Sequence, residues 1–213
     1  MNSHKLTVPR TARYYTLGTS SEHTRDVWVV CHGYGQLARY FLRHFAVLDD
    51  GATLVVAPEA LSRFYLDGFS GRVGATWMTR EDRLSEIEDQ AAYLNLLLQE
   101  VLLQVPADVR VHVLGFSQGG ATVCRWLSTN QVPCRHLVLW AASFPEDIEF
   151  ETGKTAFAGK AVDVVYGTQD EFITPDKLQH QQQIMNRLGI LPQIHTFEGG
   201  HTITPDLLLK LKA

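Results

Sequence analysis

Along this chain, short β-branched and apolar runs alternate with longer stretches in which apolar positions recur every three to four residues. The short runs predict seven strands: Ala12 to Leu17, Val27 to Cys31, Thr53 to Ala57, Val109 to Leu114, His136 to Trp140, Val162 to Tyr166 and Gln193 to Phe197. Strands alternating with helices imply a mostly parallel sheet covered on both faces, a three-layer α/β/α sandwich. The longest helix is predicted from about Glu81 to Leu103, where Ile87, Ala91, Leu94, Leu98 and Val101 share one face. Thr79 followed by Asp82 resembles a capping box at its start, and Pro106 lies beyond its end. Thr174-Pro175-Asp176 and Thr204-Pro205-Asp206 mark two further helix starts, with a capping hydroxyl, a proline at the first helical position and an acid at the positive end of the helix dipole.

The chain has 213 residues, 45% hydrophobic and 20% charged, which suits one soluble globular domain spanning 1–213. A net charge of −4 gives no electrostatic reason to expect nucleic acid or an anionic membrane as partner. The three cysteines, Cys31, Cys124 and Cys134, form no CxxC pair, and their odd number cannot close into a complete set of bridges, so a reducing compartment is expected. The first residues carry no apolar signal-peptide stretch and no segment approaches a membrane span, so the expected location is cytoplasmic, without integral membrane association.

The most informative segment is Val111-His112-Val113-Leu114-Gly115-Phe116-Ser117-Gln118-Gly119-Gly120, an apolar strand that turns through Gly-x-Ser-x-Gly into a helix-like run. A serine at such a turn either caps the helix or is held clear of the backbone as a nucleophile, and the strand before it with the helix after it favours the nucleophile. A serine hydroxyl attacks poorly alone. It needs a base to accept its proton and a carboxylate to orient that base. Asp170 and His201 each lie on a loop between a predicted strand and a predicted helix, and the order Ser117, Asp170, His201 is that of one known arrangement of the trio. Of nine histidines, His112, His136 and His195 fall within strands, His44 and His180 in helices, and His4 and His23 in polar flanks; Glu171 is the nearest substitute for Asp170. His32-Gly33-Tyr34-Gly35 follows the second strand, and the Tyr34 and Gln118 N–H groups are candidate oxyanion donors, which makes His32 structural rather than a base.

These segments, together with Tyr166-Gly167-Thr168-Gln169-Asp170, Ile173-Thr174-Pro175 and Gly199-Gly200-His201, resemble the α/β-hydrolase superfamily. Within it the chain is similar to the small carboxylesterase group that includes acyl-protein thioesterases and lysophospholipases. The resemblance spans nearly the whole chain, and Gly-Phe-Ser-Gln-Gly-Gly is the family's version of the elbow. It implies that Ser117 is the nucleophile, His201 the base, Asp170 the orienting acid, and the Tyr34 and Gln118 backbones the oxyanion hole. Two departures stand out. Gln36 replaces the Asp that often follows His-Gly-x-Gly, and Arg72 to Arg80 retains only Trp77 of the family's segment bordering the acyl site.

Trp77, Met78, Phe144, Phe172 and Ile173 are candidate substrate contacts, at strand ends or beside Asp170, and Arg63 to Tyr65 are expected as a solvated surface loop, with the rim of the cleft as the alternative. The interval between Ser117 and Asp170 has no room for a large cap domain, so an open or shallow cleft is expected. The expected activity is hydrolysis of short to medium acyl esters through an acyl-enzyme. Thioesterase or lysophospholipase activity is the neighbouring alternative, and a non-catalytic acyl-binding protein on the same fold the alternative of another class. The substrate is an ester or thioester, and no cofactor or metal is called for.

Overall fold

A computed structural model of the chain describes residues 1–212. All seven expected strands form, as one sheet: β1 (Tyr14–Leu17), β2 (Asp26–Cys31), β3 (Thr53–Pro58), β6 (Arg110–Phe116), β7 (Cys134–Trp140), β8 (Ala161–Gly167) and β9 (Gln193–Phe197). Their spatial order is β1-β3-β2-β6-β7-β8-β9. Only the β1–β3 pairing is antiparallel; each later neighbour is parallel, from Asp26 opposite Thr53 to Gly167 opposite Phe197. Every residue of β2 and β3 is buried, as a sheet covered on both faces requires.

Because side chains alternate across a strand, the sheet feeds two cores. On one face Val27, Val29, Val111, Val113, Leu137 and Leu139 pack against α2 (Arg83–Leu102), α3 (Gln118–Thr129), α4 (Phe150–Phe157) and α5 (Pro175–Arg187). On the other, Trp28, Val30, Leu114, Val138 and Trp140 pack under α1 (Ala38–Phe41), the 3-10 segment Leu42–Leu48 and α6 (Pro205–Lys212). The result is the mostly parallel α/β/α architecture expected from the sequence. Between Ser117 and Asp170 lie only α3, β7, α4 and β8, with no cap domain.

Three local expectations are corrected. Arg63 to Tyr65 is not a loop: β4 (Ser62–Tyr65) and β5 (Val73–Thr76) form a separate antiparallel hairpin. The long helix begins at Arg83 without the Thr79–Asp82 box, because Asp82 sits in the left-handed region at φ 47° and its side chain instead takes hydrogen bonds from Lys5 and Ser85. Glu86 one turn on does the corresponding work, accepting from the Thr79 N–H at 2.6 Å and from the Ser62 hydroxyl. Thr174 caps α5 by accepting from the Lys177 N–H, whereas the buried Thr204 hydroxyl ahead of α6 has no partner.

Cys31, Cys124 and Cys134 are all free and buried. Burial pushes each thiol well above its ordinary value, so none is poised to react. Among the described residues, no helix is long and apolar enough to cross a membrane.

Candidate active site

Four strands deliver the candidate residues to one edge, the carboxyl ends of the parallel sheet, where clefts form in open α/β folds. Ser117 follows β6, Asp170 follows β8, His201 follows β9 and the His32–Gln36 loop follows β2. Ser117 has φ 53° and ψ −119°, a conformation that costs about 1–3 kcal/mol and persists only where packing enforces it. That packing is visible around it. The Ser117 N–H donates to the Trp140 carbonyl at 3.0 Å, and α3 presses so close to β2 that a Cβ on Gly119 would lie 2.3 Å from the Cys31 carbonyl oxygen. Only glycine permits this approach.

Asp170 and His201 are brought together by stitched loops. The Gln169 N–H donates to Gly199 O at 2.9 Å and the Thr168 N–H to Phe197 O at 2.9 Å. The buried Asp170 carboxylate then meets His201 Nδ1 at 2.8 Å through Oδ2, while its Oδ1 accepts the Phe172 N–H at 2.9 Å. This carboxylate holds the imidazole with Nδ1 protonated and Nε2 free of any partner among the described residues. Glu171 is exposed and makes no bond to the imidazole. The His201 ring lies between Phe116, at 4.8 Å, and Phe172, at 4.9 Å. Ser117 and His201 are not hydrogen bonded to each other; Phe116, the residue before the serine, is what touches the imidazole.

The loop after β2 leaves one donor available by elimination. The Gly33 N–H donates to Gln36 Oε1 at 2.8 Å, Gly35 N–H to Ala75 O at 2.9 Å and Gln36 N–H to Gly33 O at 3.3 Å. Tyr34 N–H has no partner among the described residues, and neither has the Gln118 N–H at the first position of α3. Gln36, where the family often has Asp, closes this loop upon itself. Hairpin strand β5 clamps it from outside: Ala75 N–H donates to Gln36 O at 3.1 Å, and a Cβ on Gly74 would fall 2.4 Å from Gly35 O.

His32 is fully buried and fixed in one tautomer. Its Nε2 accepts the Ala60 N–H at 3.1 Å, so Nδ1 carries the proton and donates to Gly33 O at 2.7 Å. Burial outweighs these contacts and lowers its pKa to about 4, so the ring is neutral near pH 7.

The expected substrate contacts divide. Phe172, half exposed, packs against His201 at 4.9 Å, and the partly buried Ile173 donates its N–H to Asp170 O at 3.2 Å. Trp77 and Phe144 are 0% and 3% exposed and offer a ligand no surface. Trp77 Nε1–H donates to His32 O at 2.7 Å, and Phe144 packs on Phe157, so both belong to the core. Met78 lines a small void with Trp77, Ile87, Thr122 and Arg125. One contributor escaped sequence reasoning. The Gln118 side chain accepts the Trp77 N–H at 3.0 Å and donates to Met78 O at 2.9 Å, pinning the segment before α2 onto the elbow. A carboxamide at the position after the serine was the available signal, but its partners lie about forty residues away.

The fold and this edge define an α/β-hydrolase. The model of the Phospholipase/Carboxylesterase family matches residues 16–213, and the chain belongs to that family of hydrolases. A comparison with curated proteins finds no match. Among solved structures, the chain is similar to acyl-protein thioesterase 2 of Zea mays, at 17% identity and TM-score 0.72, over 95% of this chain and 97% of that one. It is also similar to a carboxylesterase of Mesorhizobium loti, at 19% identity and TM-score 0.73, covering 94% and 93% of the two chains. A phospholipase/carboxylesterase of Dyadobacter fermentans aligns at 17% identity and TM-score 0.70, over 96% of each chain. At these identities the likeness carries the fold.

Proposed function

We propose that this chain is a single-domain serine carboxylesterase, spanning 1–213, that hydrolyses short to medium acyl esters through an acyl-enzyme. The observation that carries the reading is the Asp170–His201 pair, with Nε2 left unpartnered at the same edge as the strained Ser117. In acylation Ser117 Oγ attacks the ester carbonyl while His201 Nε2 takes its proton, and the cationic imidazolium is stabilised by Asp170. The Tyr34 and Gln118 N–H groups, both free to donate, meet the charge that develops on the carbonyl oxygen. The imidazolium then protonates the departing alcohol. Water, deprotonated by the same Nε2, attacks the acyl-serine and releases the acid. Ser117 and His201 approach by a side-chain rotation during the cycle, since apo contacts of this kind often tighten only with substrate bound. Phe172 and Ile173 border the bound acyl group.

A cytoplasmic location belongs to the same reading, supported by three free buried cysteines. A fluorophosphonate probe is expected to label Ser117 in the folded protein and to fail with Ser117→Ala. Folded protein that resists labelling and cleaves no p-nitrophenyl ester overturns the proposal.

A further inference from the structure

Beside the oxyanion loop lies an open groove of about 730 Å³, within the range of small-molecule sites. Gly35 and Gln36 form one wall, so the groove begins one residue from the Tyr34 N–H. Phe41 forms another, and its ring lies 5.8 Å from Phe116, which itself lies 4.8 Å from His201. The groove is thus two ring contacts from the imidazole.

Its lining is unusual for a protein of net charge −4. Arg39, on α1, and Arg72, just before the returning hairpin strand, both line it, and no carboxylate does. Neither arginine makes an ion pair or a side-chain hydrogen bond among the described residues. Five of the other eleven arginines are held in ion pairs: Arg13 and Arg63 bind Glu59, Arg110 binds Asp26, and Arg83 and Arg125 bind Asp147. Arg39 is held over the Tyr40 ring at 4.5 Å, and Arg43 stacks on the same ring at 5.0 Å, adding a third positive charge nearby. The lining also includes Leu37, Leu66 and Val73, so the groove combines apolar surface with two cationic side chains.

We propose that this groove selects esters that carry a second, anionic group, a carboxylate or a phosphate, which Arg39 and Arg72 bind while the ester carbonyl sits at Tyr34 N–H. The inference rests on the esterase reading above and adds the substrate class. Guanidinium groups suit such anions because their planar donors match two oxygens at once. The anion belongs either to the far end of the acyl chain or to the alcohol portion.

Matched pairs of substrates separate these sources. For the acyl side, the p-nitrophenyl monoester of suberic acid is compared with p-nitrophenyl octanoate. For the alcohol side, 3-butyryloxybenzoate is compared with its methyl ester, and a monoacyl glycerol phosphate with the monoacyl glycerol. In at least one pair, kcat/KM is expected to favour the anionic member by about tenfold or more, carried by KM, as for one charge-assisted contact at a partly exposed site. That ratio should collapse toward one in Arg39→Gln/Arg72→Gln. In the unaltered protein, raising NaCl from 0.05 to about 0.5 M should reduce it through screening, so the inference does not depend on the variant folding. Equal kcat/KM within all three pairs, or a preference that survives both the double substitution and salt, overturns the anion site. Failure to cleave any ester, with no fluorophosphonate labelling, instead overturns the esterase reading beneath it.

Discussion

His32 tests whether the loop after β2 is organised by a neutral buried imidazole. The ring holds the Ala60 N–H and the Gly33 carbonyl at once, which only the neutral Nδ1–H tautomer can do. Burial places its pKa near 4, below the ordinary 6.5. In the unfolded chain the ring protonates as pH falls through 6.5, while in the folded protein it resists protonation until about 4. Its contribution is therefore complete above pH 6.5 and lost progressively as pH falls to 4. At 1.36 kcal/mol per unit the loss amounts to roughly 3 kcal/mol by pH 4. His32→Gln can still accept from Ala60 N–H but leaves Gly33 O unpaired, which costs about 1–3 kcal/mol at pH 7. Because glutamine does not titrate, urea unfolding of the two proteins should show that gap at pH 7 and show it closed or reversed at pH 4. Other groups titrate in both proteins and cancel in the difference. A gap of constant size across this range would refute the neutral-imidazole argument.

Tyr34→Pro removes one free N–H and should slow kcat on p-nitrophenyl butyrate by about 100-fold to 1000-fold, with circular dichroism confirming the fold; full activity would exclude Tyr34 as a donor. Asp170→Asn reverses the hydrogen-bond preference at His201 Nδ1 and should lower kcat by roughly four orders of magnitude with little change in thermal midpoint. Asp163→Asn leaves His136 and His195 without an anionic acceptor and should cost about 3 kcal/mol in urea unfolding at pH 7. Burial pushes the Asp163 carboxyl up, but the hydrogen bonds from His136 and His195 outweigh it and hold it below its usual range. The cost should accordingly be full above about pH 4 and shrink as pH falls through the folded value.

The sheet was legible because its strands are runs such as Val27-Trp28-Val29-Val30-Cys31, whose burial on both faces leaves no other reading. Ser117, Asp170 and His201 were legible as candidates through chain order and through glycines that only a tight strand-to-helix turn explains. Hairpin β4–β5 was not. Its four-residue strands carry no sustained apolar alternation, and β5 is fixed by the loop after β2 through Gly35 and Gln36, contacts across about forty residues. Trp77 and Phe144 misled for a related reason. An aromatic residue at a strand end can face a cleft or the core, and only the packing around it decides: Trp77 is claimed by the His32 carbonyl and Phe144 by Phe157. The Thr79–Asp82 pattern failed because other partners, the distant Lys5 for Asp82 and Glu86 in the first turn of α2 for Thr79, outcompete that cap.

Histidine paired with aspartate is not itself rare in this chain. His112 Nε2 meets Asp26 at 2.8 Å, His136 Nε2 meets Asp163 at 2.6 Å and His195 Nε2 meets Asp163 at 2.8 Å, all near the amino ends of the parallel strands. The Asp170–His201 contact is of the same length. His112 and His136 differ from His201 in the second nitrogen, and all three strand histidines differ from it in address. His112 and His136 face each other through Nδ1 at 3.4 Å, and the His112 ring is stacked on Trp28 at 4.6 Å, so neither can turn toward an incoming group. His201 sits on a loop beyond the last strand and keeps Nε2 unengaged. The three strand histidines spend their pairing on tying β2, β6, β7, β8 and β9 together at one end of the sheet. The fourth pair lies at the opposite end, where every parallel strand exits toward a loop and a nucleophile can be reached. Strand direction therefore separates two uses of one side-chain pair. A position past a carboxyl end does not by itself leave a ring available, since His32 directly after β2 is buried and engaged at both nitrogens; His201 combines that address with an unengaged Nε2.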